Sequence, residues 1–346
     1  MTAGPDHTSV ASDDTRPRTA ADGDAGVALP LPSVSVIICA YTFDRWKLLC
    51  GSVDSVLSQT LVPVELFLSI DHNRELFERC QEQWPDTPDG VVPAVRVLEN
   101  RYDGHLGSAR RTGAEQATGE IIAFLDDDAT AEPDWLERML APYTDPHVIA
   151  VGGRPLPVFS KPRPSWFPRQ YDWVFGCWYE GLPTETAPIR HVIGAAMSVR
   201  RADLVAIGYF HSDNHDDMDM CHRLMHHSPS SVILFEPSAI VHHYVHENRL
   251  TWSYFWRRCF WVNRGKVRAF RQMGEAGNLD AERSFAKRSL TEGLRTGLRE
   301  LAGGDLGGLT RSFALCAGLV LAGLGYLAGA VEWEFEQRRH SRKGPG

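Results

Sequence analysis

The spacing of apolar and polar positions changes several times along this chain, and each change predicts an element. From Ser33 the run Val34-Ser35-Val36-Ile37-Ile38-Cys39-Ala40 is apolar on both faces of an extended segment, which predicts a buried strand. A helix is expected around Leu48 to Ser58. After Pro63 the buried pattern repeats from Val64 to Ile70 and ends at Asp71-His72-Asn73. A short strand over Val95 to Leu98, a loop through Asp103 to Ser108 and an Ala-rich helix from Ala109 to about Ala117 follow. The apolar run Ile121 to Leu125 is another buried strand; it runs straight into Asp126, Asp127 and Asp128 before Pro133 stops it. Repeated strand, loop and helix predict an α/β chain with a mostly parallel central sheet flanked by helices, whose ligands bind outside the carboxyl ends of the strands. Asp71 and the Asp126 to Asp128 triplet both lie at such ends.

The second half is patterned differently. Trp166, Tyr171, Trp173, Phe175, Trp178 and Tyr179 are interleaved with Pro162, Pro164, Pro168 and Pro183, a stretch too broken for a helix and rich in flat amphipathic rings. Asp216, Asp217 and Asp219 precede an expected helix, Met220 to His227, and a strand-like Ala239-Ile240-Val241 leads to His243. From Thr251 a helix carries Trp252, Phe255, Trp256, Cys259 and Phe260 on one face, with arginines and Lys266 elsewhere, a stripe that suits core packing. Residues 271–346 read as a helical C-terminal region. Within it Ser312 to Val331 holds no charge, the length a bilayer core requires, and Gly325 and Gly329 form a G-x-x-x-G. This 312–331 stretch is a candidate membrane segment, against a buried or interfacial hairpin. Residues 1–32, rich in Ala, Asp, Gly and Pro and without an apolar run, read as a disordered leader rather than a signal peptide.

Composition removes several classes of function. A 346-residue chain that is 43% hydrophobic and 23% charged is ordinary for a globular protein. Its net charge of -8 argues against nucleic acid as a partner. The seven cysteines form no C-x-x-C pair, which suits free thiols in a reducing compartment. Neither G-x-G-x-x-G nor a P-loop is present, so phosphates would be neutralised by metal instead.

Three adjacent carboxylates at a strand end repel one another unless a pKa rises or a cation sits among them. In an extended segment Asp126 and Asp128 share a face, a two-carboxylate clip for a divalent metal. The plainer reading is an acidic turn in which Asp128 or Thr130 caps the helix after Pro133. Ser108, Arg110 and Arg111 at a helix start suit an anion, or only a cap with solvated arginines. Asp216 to Asp219 also fit simple helix-dipole complementarity.

Taken in order, Cys39-Ala40-Tyr41-Thr42, Asp71, Gly107 to Gly113, Phe124 to Asp128 with Pro133-Asp134-Trp135-Leu136, Gly194 to Arg200, Asp216 to Arg223 and His243 resemble family 2 glycosyltransferases over about Ser33 to Phe270. The resemblance implies the A-type glycosyltransferase fold, with a Rossmann-like sheet and here a C-terminal helical extension. It implies a catalytic domain over 33–270, divided into a nucleotide-sugar-binding half, 33–150, and an acceptor and base half, 151–270. Activity would be metal-dependent inverting transfer from a nucleoside-diphosphate sugar to a hydroxyl of a glycan or lipid-linked acceptor, in polysaccharide or cell-surface glycan synthesis. Residue by residue it implies donor binding by Ala40, Tyr41, Asp71, Arg110, Asp126 and Asp127, a divalent metal (Mn2+ or Mg2+) at Asp128 and His243, and Asp217 as catalytic base. The departures are His72-Asn73-Arg74 where the family often has Asp-Gly-Ser, and Asp216 where it often has Glu. The expected location is cytoplasmic, at the inner face of the cell membrane. The alternative is a silent nucleotide-sugar-binding subunit of a membrane glycan-assembly complex.

Overall fold

The computed structural model describes residues 31–88, 90–211, 215–272 and 280–342, so nearly all of the expected leader lies outside the described residues. In chain order the elements are β1 (Val34–Ala40), α1 (Trp46–Leu57), β2 (Glu65–Ile70), α2 (Arg74–Gln83), β3 (Ala94–Glu99), α3 (Leu106–Ala114), β4 (Ile121–Asp126), β5 (Ala129–Ala131), α4 (Trp135–Leu140) and β6 (Val148–Phe159). They continue with β7 (Ala187–Pro188), β8 (Ala196–Arg200), α5 (Arg201–Ala206), α6 (Asp216–His227), β9 (Val232–Val245), α7 (Trp252–Gln272), α8 (Asp280–Ala302) and α9 (Gly307–Arg342).

Among the described residues nine strands form one sheet in the order β3-β2-β1-β4-β8-β6-β9-β5, with β7 also on β9. The expected parallel core is the half β3-β2-β1-β4. Beyond β4 the sheet is mixed, because β8 runs antiparallel to both β4 and β6 while β6 and β9 are parallel. The apolar runs of β1, β2 and β4 are buried on both faces, and side chains divide by period two. Val36 and Ile38 join a core with α1, α2 and α4, whereas Ile37, Phe67, Ile122 and Phe124 join a second core with α5 and α6. Each such aliphatic side chain, fully withdrawn from water, contributes about 1.5–3 kcal/mol.

Several boundaries differ from the sequence reading, each for a local reason. The helix expected from Ala109 begins at Leu106, because His105 caps it: its Nδ1 accepts the Ser108 N–H (3.1 Å) while Ser108 Oγ accepts the His105 N–H (3.3 Å). The three acids at 216–219 stand inside the first turn of α6 rather than before it. The aromatic, proline-rich segment contains a 3₁₀ helix, Arg169–Phe175, which ends on left-handed Gly176 (φ 74°). That helix packs Tyr171 and Phe175 against Phe255 of α7 and Leu315 of α9 in a third core. The short strand β5 was not foreseen. It pairs antiparallel with β9, Ala129 opposite His243 and Thr130 opposite His242.

Candidate active site

β1, β2 and β4 end side by side, and their carboxyl ends open onto a cleft of about 530 Å³. The nine residues to which the resemblance gives a donor, metal or base role line it: Ala40, Tyr41, Asp71, Arg110, Asp126, Asp127, Asp128, Asp217 and His243; Ser108 and Arg111, read as suiting an anion, do not. Segments from 40 to 243 in the chain thus meet at one place. Gly194 and Asp216, from two of the resembling segments, and Arg258, one of the arginines of the helix after Thr251, also line the cleft; Arg45 and Arg249 line it too and went unread in the sequence, since nothing local sets them apart from solvated residues.

Asp126, Asp128 and His243 converge, each offering a ligand atom within 4.8 Å of the others. Asp128 does not cap α4, whose N-cap is Asp134. Instead the chain turns after Asp126, and β5 holds it to β9, where the Tyr244 N–H donates to the Asp128 carbonyl (2.7 Å). His243 Nε2 then lies 2.9 Å from Asp128 Oδ1 and 3.8 Å from Asp126 Oδ2. On the far side of the ring, Nδ1 is 3.3 Å from Cys177 Sγ, a contact between residues too far apart in sequence to be read from spacing. Asp127 turns to Arg45, which donates to its Oδ1 (2.8 Å) and also approaches Asp128 Oδ2 (3.1 Å).

Burial and charge divide the acids. Burial lifts the Asp127 carboxyl to about 7, outweighing Arg45, and its Oδ2 is buried without a hydrogen-bond partner. Asp128 is also penalised by burial, yet the His243 hydrogen bond and the charges of Arg45 and Arg249 bring it down to about 2. Burial alone would lower His243, but its contacts with Cys177 and Asp128 carry it well above the ordinary histidine value. Two carboxylates and an imidazole are a donor set for a divalent cation, and the buried Asp127 Oδ2 is a polar atom left for a bound group to satisfy. Among the described residues this is the group of acid, histidine and cysteine side chains that converges; Cys221, His222, His226 and His227 do not.

A second acid pair faces the same cleft from α6. Arg110, almost wholly buried, donates to Asp216 Oδ2 (2.8 Å), to Asp126 Oδ1 (3.1 Å) and to the Gly194 carbonyl (2.8 Å), so it ties the β4 end to the start of α6. Asp217 accepts the Gly194 N–H through Oδ2 (3.0 Å) and the Met218 N–H through Oδ1 (2.8 Å). Burial raises its carboxyl, with Arg110 opposing. At the other end Asp71 Oδ1 accepts from Asn100 (2.7 Å), and Tyr41 lies exposed at the rim beneath the Arg45 guanidinium. Asn73, one of the departures after the second strand, caps α2 by accepting the Leu76 N–H (3.0 Å).

A family model described as glycosyl transferase family 2 matches residues 35–208. The glucosyl-dolichyl phosphate glucuronosyltransferase of Haloferax volcanii is 31% identical over 243 residues, 67% of this chain and 76% of its own length. The pre-mycofactocin glycosyltransferase of Mycobacterium tuberculosis is 29% identical over 43% of this chain, a match that spans 32% of that relative. Among solved structures, a mannosyltransferase from Pyrobaculum calidifontis in complex with GDP-Man and Mn2+ superposes with a TM-score of 0.58 at 19% identity, over 86% of this chain and 88% of its own, a likeness of fold.

Proposed function

The chain belongs to glycosyltransferase family 2 and is a transferase, and from that premise we propose metal-dependent, inverting transfer of a sugar from a nucleoside diphosphate to a hydroxyl. The observation that carries this reading is the meeting of two separate acid groups in one cleft: Asp126, Asp128 and His243 on one side, Asp217 on the other. Inversion requires a base for the acceptor proton and positive charge for the leaving diphosphate, and one carboxylate cannot serve both ends.

Asp128 and His243, with Asp126 beside them, would hold Mn2+ or Mg2+. When bound, the cation supplies charge that stabilises the departing diphosphate. Asp71, with Oδ1 fixed by Asn100, and the Ala40-Tyr41 backbone bind the nucleoside in this reading. Arg110 serves the donor through Asp126, which it holds in place, and keeps Asp217 ionisable through its charge. Asp217, pinned by two backbone N–H groups, takes the proton of the incoming hydroxyl. The Haloferax relative's name supports a lipid-linked acceptor, and α9 supports membrane contact, since Gly307–Arg338 is long and apolar enough to cross a bilayer. The cytoplasmic face is the side on which a nucleotide sugar would be supplied.

Incubating the protein with Mn2+ and a panel of nucleotide sugars, with and without polyprenyl phosphate or glycan acceptors, should release a nucleoside diphosphate. Asp217→Asn should lower transfer at least about a hundred-fold while leaving donor binding intact. Asp128→Ala should remove the metal dependence of nucleoside-diphosphate binding in calorimetry. Full transfer by the first variant would reject the base, and unchanged binding by the second would reject the clip.

A further inference from the structure

The uncharged C-terminal stretch has two faces with different neighbours. On one, Gly318 lies against the Tyr171 ring, Gly325 against the Phe260 carbonyl and Gly329 against the Arg264 carbonyl, where any Cβ would collide. Bidentate Arg264 to Glu332 contacts of 2.9 and 2.7 Å extend the attachment beyond the glycines. The G-x-x-x-G is therefore used within the chain, letting the backbones of α7 and α9 approach closely. On the opposite face Leu309, Phe313, Val320, Leu324, Leu327, Val331 and Phe335 follow helical spacing, and each is more than half exposed.

A helix that crosses a bilayer takes whatever is packed along it into the hydrocarbon. Here that partner is α7, which carries Arg257, Arg258, Arg264, Lys266 and Arg271, each costly in hydrocarbon. The exposed stripe also continues past Glu332 and Glu334 to Phe335, beyond the uncharged stretch. At its other end stands an aromatic group: Trp166 stacks on Trp252 at 3.8 Å, and Phe313 lies 6.3 Å from Trp252 and 6.5 Å from Trp256. Exposed Trp261 and the exposed Arg257 belong to the same helix, α7. Tryptophan beside arginine at the margin of an apolar stripe is the composition of a membrane–water boundary and complements anionic headgroups.

We infer that α9 is an in-plane membrane anchor: it lies along the lipid surface with its Phe313 to Phe335 stripe in the acyl boundary and α7 on its protein side, and it does not cross. The occupant of the stripe is the bilayer rather than a second copy, because a paired copy would explain the apolar spacing but not the tryptophan and arginine margin. This deepens the membrane contact proposed above, and its readouts involve no sugar transfer, so the two can fail separately.

The test uses the full chain and phosphatidylcholine vesicles with and without phosphatidylglycerol. Co-sedimentation is expected, stronger with the anionic lipid, and Leu324→Glu with Leu327→Glu should lower the bound fraction at least ten-fold while the circular dichroism spectrum stays unchanged. Leu324→Ser, a milder change at the same exposed position, should give a partial loss with an unaltered circular dichroism spectrum. In cell membranes, tags on the two termini should be cleaved by protease from the same side. Cleavage from opposite sides would make α9 a span, and absence of vesicle binding together with a dimer dissolved by the Leu324→Glu change would make the stripe a subunit interface; either result overturns the inference.

Discussion

With its guanidinium divided between Asp126 and Asp216, Arg110 sets the charge balance around the proposed base. Burial raises the Asp217 carboxyl and Arg110 pulls it down, so the base loses its proton only above the ordinary carboxylate value of about 3.9. Transfer should therefore fall on the acid side with an apparent pKa above that value. Arg110→Met, which removes the lowering charge, should move the acid limb further towards neutrality in a pH profile of kcat/KM. A shift in the opposite direction would contradict the assignment. Cys177 lies behind the His243 ring, 3.3 Å from its Nδ1. For Nε2 of His243 to meet a cation, Nδ1 must carry the proton, and Cys177 Sγ is the acceptor in reach. Cys177→Ala is expected to weaken Mn2+ binding on the order of ten-fold, read by the free-ion signal in electron paramagnetic resonance, with Cys177→Ser recovering part of it. Asp126 to Asp128 were legible because an apolar strand runs straight into three carboxylates, and Asp71 and Asp217 because of the order of the segments that resemble the family. Arg45 and Cys177 were not, since long-range contacts alone give them meaning.

At the scale of elements, β5 is what carries the end of the acidic turn to His243. Three residues, Ala-Thr-Ala, carry too little pattern to predict a strand, and the triplet before them also resembles a helix cap. Pairing with β9 sets Asp128 beside His243 and away from the cap of α4. A proline at position 130 would break this short ladder, and Thr130→Pro is expected to lose Mn2+ binding together with a few kcal/mol of stability by urea unfolding. Retained binding would mean that the turn alone orders the clip. The early start of α3 has a similar cause. A histidine is a rare cap, and the capping arrangement appears only once Ser108 answers it. The parallel half of the sheet, by contrast, was plain in the sequence, because strands buried on both faces leave uninterrupted apolar runs.

For the whole molecule, the response to acid follows from histidines the cleft does not use. Burial, reinforced by the charge of Lys266, lowers His191 to about 3 and His215 to about 4, against 6.5 ordinarily. Unfolded, both take up protons below about 6.5, which the folded chain refuses until far lower pH. Stability from this source is thus complete above about 6.5 and declines as pH falls towards 4. His191→Gln should therefore gain in thermal midpoint relative to the intact protein as pH falls over that interval; a difference between the two that does not change with pH there would refute it. The candidate membrane segment illustrates the limit of reading by length. Its 20 uncharged residues satisfy a span, and only the packing of Gly325 and Gly329 on α7 assigns the two faces.

Tyr171 joins these scales. Its hydroxyl donates to the Leu315 carbonyl of α9 (3.2 Å), and the 3₁₀ helix that holds it ends at Gly176, next to the thiol that supports the His243 ring. On the proposed reading the tail would splint the residues that hold the cation. A chain shortened to end at Asp305 should release Mn2+ several-fold more readily than the intact protein, and what fastens the enzyme to lipid would then also tune how firmly it keeps its metal.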